Sequence, residues 1–357
     1  MIRVVVAEDS LTVRELLVEI LESDPEIEVV GQAKNGAEAV DLTTRLKPNL
    51  VTMDIHMPIM DGFEATKEIM VQAPTPILIV SSSTSARDVE LSLNAMRAGA
   101  LMVLAKPDDP QSARFDGRRD ELVAMAKAMA RVKVVRRWGP DARAVRLTAA
   151  PRVMVPPAPV RLIAIAASTG GPAALQRILS ALPRDFGAPI LVVQHIATGF
   201  AQGLADWLSA SCNLRVKVAE HGERLVERLV LLAPDDRQLG VTRDGRVVVA
   251  DVPPVNGFRP SGTYLFVSAA QAYGASLAAV ILTGMGRDGV EGLKTVRAAG
   301  GRVLAQDEAS SVVYGMPGEA VAAGVVDAVL GIDDIASRLA ELIAGGNHGD
   351  AGTHPRR

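Results

Sequence analysis

Residues 163–172 read IAIAASTGGP, an aliphatic run that breaks into Ser168, Thr169, two glycines and a proline. A serine in that place has two possible uses. It can attack a carbonyl as a nucleophile, or its turn can cradle a phosphate, because the first free N–H groups of a following helix favour a bound anion or a developing oxyanion. A nucleophile also needs a base within hydrogen-bond reach and a third group to orient that base. The chain has five histidines. His348 and His354 lie in the polar tail, His221 in the turn EHGE and His56 in DIHMPIMDG, whereas His195 ends the aliphatic run PILVVQH. The best-placed acid is Asp288, in the glycine-rich turn LTGMGRDG. Spacing alone leaves the bland readings open: a structural histidine, a turn-forming aspartate and two phosphate cradles.

A second set of polar residues punctuates the first third of the chain. Glu8 and Asp9 follow RVVVA, Asp54 follows LVTM, Ser81 ends PILIVS, and Lys106 follows LMVLA. If those runs are parallel strands, their ends converge on one crevice. Three carboxylates gathered there repel one another unless a cation joins them, and their hard oxygens suit Mg²⁺. Lys106 adds a charge for a phosphoryl oxygen, and Ser81 a hydroxyl to hydrogen-bond it.

The elements that must position these residues follow from periodicity. Short aliphatic runs alternate with helical patterns such as LTVRELLVEILES over residues 1–130, which predicts βαβ units on a parallel sheet. Residues 131–160 carry six arginines and one lysine against one acid, Asp141, and finish in PRVMVPPAPV, a basic and Pro-rich linker. Alternation returns over 161–346, with RLIAIAAS, APILVVQH, LRVKVAE, RLVLLAP, GRVVVAD, SLAAVILTG, GRVLAQD and VDAVL as strands. Pro172 falls in the first turn of the helix after Ser168. Residues 347–357 form a polar tail predicted to be disordered.

Composition bounds the class. The chain has 357 residues, 48% hydrophobic and 22% charged, which suits two soluble domains. The single cysteine, Cys212, forbids an internal disulfide. A net charge of −3 without basic patches interleaved with aromatics argues against nucleic acid, and no apolar stretch is long enough to span a bilayer. The expectation is a cytoplasmic, monomeric protein with no membrane insertion. ASTGGP lacks the GxGxxG spacing of a dinucleotide fold. An ordinary α/β-hydrolase fits poorly, since GxSxG is missing and the order runs serine, histidine, acid.

VVVAEDS, DIHMPIMDG, ILIVSSST and GALMVLAKP resemble the motifs of a response-regulator receiver domain over residues 1–125. The resemblance implies a flavodoxin-like, five-stranded parallel sheet and a histidine kinase that phosphorylates Asp54. It also implies Mg²⁺ held by Glu8, Asp9, Asp54 and the His56 backbone carbonyl, with Ser81 and Lys106 as the switch. The position of the usual switch aromatic is Val103 here, a departure from that pattern.

IAIAASTGGP, VVQHIATGF, VNGFRPS, ILTGMGRDG and YGMPGEAV, in that order behind a receiver, resemble the chemotaxis protein-glutamate methylesterase family. The resemblance implies a doubly wound, mostly parallel α/β hydrolytic domain. Ser168 is then the nucleophile, His195 the base and Asp288 its orienting acid, with Thr169, Gly170 and Met285 as candidates for the oxyanion site and groove. It further implies hydrolysis of glutamate methyl esters, with methanol released, and deamidation of glutamines on methyl-accepting chemotaxis receptors. No cofactor is expected for that chemistry, and the unphosphorylated receiver is expected to inhibit by occlusion. Two departures stand out: His195-Ile196-Ala197 replaces His-Met-Pro, and Phe258 stands near a position where many members have histidine.

Overall fold

The computed structural model describes residues 1–81, 86–107, 111–112, 115–132 and 159–344; most of the basic linker and the polar tail lie outside them. The chain falls into two compact units, taken here one at a time.

The first unit alternates β1 (Ile2–Ala7), α1 (Leu11–Glu22), β2 (Ile27–Ala33), α2 (Gly36–Leu46), β3 (Leu50–Met53), α3 (Gly62–Gln72), β4 (Ile77–Ser81), α4 (Ala86–Ala98), β5 (Met102–Ala105) and α5 (Phe115–Met129). All five strands are parallel, in the order β2-β1-β3-β4-β5. Helix starts are written into the sequence. Asn35 caps α2 by accepting Glu38 N–H at 2.9 Å, and Asp61 caps α3 by accepting Glu64 N–H at 2.8 Å. The order reverses between β1 and β3, so their C-terminal ends open a crevice at the switch point of the sheet.

The second unit runs β6 (Leu162–Ala167), α6 (Gly171–Ala181), β7 (Ile190–Gln194), α7 (Ala201–Ser211), β8 (Arg215–Val218), β9 (Leu229–Leu232), β10 (Gln238–Val241), β11 (Val247–Ala250), α8 (Gly262–Tyr273), β12 (Leu277–Ile281), α9 (Val290–Ala298), β13 (Arg302–Gln306), α10 (Met316–Ala322), β14 (Ala328–Leu330) and α11 (Ile332–Ala344). Seven strands form a parallel sheet in the order β14-β13-β12-β6-β7-β9-β8. Every residue of β6 is buried, as expected of a central strand covered on both faces, and on one face Leu162, Ala164 and Ala166 join a core with Leu191, Leu231, Phe266 and Ile281. Successive strands run one way from β6 through β7 and the other way from β12 through β14, the doubly wound pattern whose crevice lies beside β6.

Two details depart from simple α/β alternation. GRVVVAD forms β11, but it pairs antiparallel with β10 in a separate two-stranded ribbon, and β10 itself, QLGV, carries no strong strand signal. The parallel strands β8 and β9 are joined without an intervening helix.

Candidate active site and phosphoacceptor crevice

In the first unit the strand ends do converge. Glu8 and Asp54 are almost fully buried and Ser81 completely so, while Asp9 and the His56 side chain are exposed. Lys106 Nζ lies 2.8 Å from Glu8 Oε2 and 3.0 Å from Asp54 Oδ2. Burial pushes both the Glu8 and Asp54 carboxyls above their ordinary range, against the pull of Lys106. The same burial works against the Lys106 ammonium, but Asp54 and Glu8 outweigh it and hold its pKa above the usual value. Carboxylate oxygens of Glu8, Asp9 and Asp54 come within 4.8 Å of one another, and the buried Ser81 Oγ has no hydrogen-bond partner. A hard-oxygen donor set beside an unsatisfied hydroxyl fits a divalent cation with a phosphoryl group next to it. Close packing fixes the acceptor strand end: a Cβ on Gly62 would lie 2.1 Å from the Asp54 carbonyl oxygen. Val103, where an aromatic was expected, is a buried core residue of β5.

In the second unit the register sets Ala167 of β6 opposite Gln194 of β7, so Ser168 and His195 leave the sheet side by side. His195 N–H donates to the Ala167 carbonyl at 2.9 Å, closing the ladder between them. On the other flank of β6, Ala166 pairs with Ile281 of β12, whose following turn carries Asp288. His195 Nε2 lies 3.0 Å from Asp288 Oδ2. An ionised carboxylate only accepts, so Nε2 carries the proton. Nδ1, buried and without a hydrogen-bond partner, then keeps the lone pair a base requires. The Phe258 ring stacks on the imidazole, with centroids 4.5 Å apart and planes 11° from parallel. No hydrogen bond among the described residues joins the Ser168 hydroxyl to the imidazole; such bonds are often long without substrate and tighten on binding.

Asp288 is 1% exposed and stays charged because the fold surrounds it with donors. Oδ1 accepts from Ser261 Oγ at 2.8 Å, Gly289 N at 2.9 Å and Thr263 N at 3.2 Å; Oδ2 accepts from Gly262 N at 2.6 Å as well as from His195. Gly262 and Thr263 open α8, so the carboxylate sits on the positive end of that helix. Burial alone raises its pKa. The His195 contact and the donated hydrogen bonds overcome this and bring it down to about 2.

Around Ser168 the wall is backbone. Gly170, at φ 76°, opens α6, and Thr169 is buried beside it. A Cβ on Gly284 would lie 2.7 Å from Ser168 Cβ, and Met285, half-buried, is the next residue in that turn. Thr283 Oγ1 donates to the Thr169 carbonyl at 2.9 Å and accepts Val313 N–H at 3.0 Å, and the Gly284 carbonyl accepts Gly315 and Met316 N–H. LTGMGRDG and YGMPGEAV are thereby interlocked behind Ser168.

The structure thus gathers all three expected residues at one crevice and adds others that sequence reasoning missed: Gln194, Thr283 and Ser261. Only Ser261 left a readable signal, as the serine preceding a helical pattern. Phe258 was visible as a departure but not as a stacking partner.

These features define a two-part α/β protein: a receiver with a carboxylate crevice, followed by a unit with a serine, histidine and aspartate set. The CheB methylesterase family matches residues 163–339, and the response regulator receiver domain matches residues 4–114. Protein-glutamate methylesterase/protein-glutamine glutaminase 4 of Myxococcus xanthus is 55% identical over 357 residues, covering 96% of this chain and 98% of the relative. The corresponding protein 3 of Anaeromyxobacter dehalogenans is 55% identical over 342 residues, with 95% and 98% covered. The crystal structure of the Thermotoga maritima CheB methylesterase catalytic domain aligns at a TM-score of 0.50 with 40% identity, covering 51% of this chain and 98% of that one. The chain belongs to the protein-glutamate methylesterase/protein-glutamine glutaminase family and carries an N-terminal receiver. Among the described residues no helix is long and apolar enough to cross a membrane.

Proposed function

We propose that this protein removes methyl esters from glutamates, and amide nitrogen from glutamines, on methyl-accepting chemotaxis receptors by an acyl-enzyme route. The observation that carries the reading is the imidazole of His195, paired through Nε2 with Asp288 and left with a free Nδ1, on the strand end beside the one that carries Ser168. Ser168 Oγ attacks the side-chain carbonyl as its proton passes to Nδ1. The carbonyl π-electrons move to oxygen, and the backbone amides near Thr169, Gly170 and Met285 are the candidates to hold that oxyanion. On collapse the bond to the leaving group breaks, and His195 returns the proton to give methanol or ammonia. Water then attacks the acyl-serine while giving a proton to His195. Ser168 leaves as the hydroxyl, and the receptor is left with a glutamate carboxylate. Asp288 stays ionised throughout and stabilises the transient imidazolium.

The first unit regulates this reaction. A histidine kinase supplies a phosphoryl group to Asp54, where Glu8, Asp9, Asp54 and the His56 carbonyl would hold Mg²⁺. That ion would offset the charge of the incoming group, and Ser81 and Lys106 then bind its oxygens. The setting is the cytoplasm, where kinase and receptor tips meet, and the protein acts as a monomer.

Methanol release from methylated receptor, followed with full-length protein, tests both parts. Ser168→Ala abolishes release while the protein stays folded. Acetyl phosphate with Mg²⁺ raises release in the native protein but not in Asp54→Ala. Undiminished release by Ser168→Ala overturns the serine mechanism, and no release by the native protein from methylated receptor leaves a binding-only second unit.

A further inference from the structure

We propose that Gln194 is a positioning residue that ties the main chain of the nucleophile to that of the base; the inference rests on the roles given above to Ser168 and His195. The β6–β7 ladder ends with the His195 N–H bond to Ala167, and no further ladder bond holds the two strand ends together. The Gln194 carboxamide spans that gap. Its Nε2 donates to the Ser168 carbonyl and to the His195 carbonyl, both at 2.8 Å. A primary amide has two N–H donors, and both are used. The side chain is 95% buried, so water does not compete for these bonds.

The other end of the carboxamide shows that the donors are what the site retains. Oε1 is buried with no hydrogen-bond partner, an arrangement that burdens folding. It lies against the first residue of α6, where a Cβ on Gly171 would come within 2.0 Å of it. Gly171 therefore makes room for the carboxamide, and the Ser168 carbonyl that Gln194 grips also accepts Gly171 N–H at 2.8 Å. One carbonyl thus fixes the serine turn to both the helix that follows it and the strand that carries the base. With no ladder beyond Ala167, loss of this brace lets Ser168 and His195 drift apart, and a misplacement of about 1 Å costs on the order of 10²-fold in rate.

The test uses full-length protein and two readouts: covalent labelling of Ser168 by a fluorophosphonate, and kcat and KM for methanol release. Gln194→Leu is expected to lower the labelling rate and kcat by about 10- to 100-fold with little change in KM. Gln194→Glu presents a carboxylate to two carbonyls, so its labelling rate is expected to recover partly as pH falls and the new carboxyl gains a donor proton. The native amide gains no such proton, so the native rate is expected to show no recovery of that kind. Gly171→Ala leaves Gln194 in place but displaces its carboxamide, and is expected to give the same kcat loss even where Gln194→Leu fails to fold. Labelling within twofold of native in folded Gln194→Leu and in Gly171→Ala, or a Gln194→Glu profile parallel to native, overturns the proposal. Undiminished turnover by Ser168→Ala is a different result, which removes the underlying reading instead.

Discussion

Replacing Asp288 by asparagine keeps the shape and turns one acceptor into a donor. Every oxygen of that carboxylate now accepts, so the new NH₂ must face an existing N–H wherever it sits. At the Oδ1 position it opposes two fixed amides, Thr263 and Gly289. At the Oδ2 position it opposes one fixed amide, Gly262, and the movable proton on His195 Nε2. The second arrangement costs less, because the imidazole can shift its proton to Nδ1. That tautomer has no lone pair for Ser168. The serine-protease precedent for this tautomer error is a loss of about 10⁴ in kcat, equivalent to about 5 kcal/mol in the barrier. Stability falls as well. A pKa lowered from 3.8 to about 2 corresponds to about 2 kcal/mol of interaction with the charged form, or a fall of roughly 4–8 °C in the melting temperature of a domain this size. Because the folded pKa lies below the unfolded one, that contribution is complete above pH 3.8 and disappears as pH falls toward 2. Methanol release, fluorophosphonate labelling and thermal melting at neutral pH measure the three consequences. A rate for Asp288→Asn within tenfold of native would refute the tautomer argument.

Gly284→Ala drives a Cβ to 2.7 Å from Ser168 Cβ, so overpacking should remove roughly 1–3 kcal/mol of stability and slow fluorophosphonate labelling. Phe258→Ala strips the stacked ring from His195. The pair is worth roughly 0.5–1.5 kcal/mol, and kcat should fall by about 2- to 12-fold, read by methanol release. Asp54→Asn should stabilise the first unit against urea at neutral pH, because burial disfavours the ionised Asp54 carboxylate. Its raised folded pKa makes Asp54 most favourable to folding in acid and progressively less so as pH rises through that pKa, so the gain from asparagine should fade as the buffer is acidified.

The strand ends were legible because a buried parallel strand is an unbroken aliphatic run, and the polar residue that ends it marks the edge of the sheet. Ser168, His195, Asp54 and Ser81 could all be placed in this way, and Asp288 by the glycine-rich turn that follows β12. β10 was not legible: QLGV is four residues long with a glycine inside, and its pairing partner is a nearby strand outside the main sheet. The support of Asp288 was equally hidden, since three of its five contacts are backbone amides, which every residue but proline possesses. Gln194 reads in the sequence only as the end of a strand, because its partners are carbonyls with no side-chain signature.

The glycine-built wall behind Ser168 also bears on how such an enzyme can be changed. Gly284 and Gly315 bring three turns together at distances no added side chain tolerates: a Cβ on Gly315 would meet the Gly284 carbonyl, and one on Gly284 would meet Ser168 Cβ and the Met316 sulfur. A search for altered substrate scope that randomises those turns therefore spends most of its library on destabilised chains. The loop around Phe258 is better ground. It reaches the base through a side-chain face and is anchored by its carbonyl to Gln238 of the ribbon, so it offers variety to a designer without disturbing the seam that seats the nucleophile.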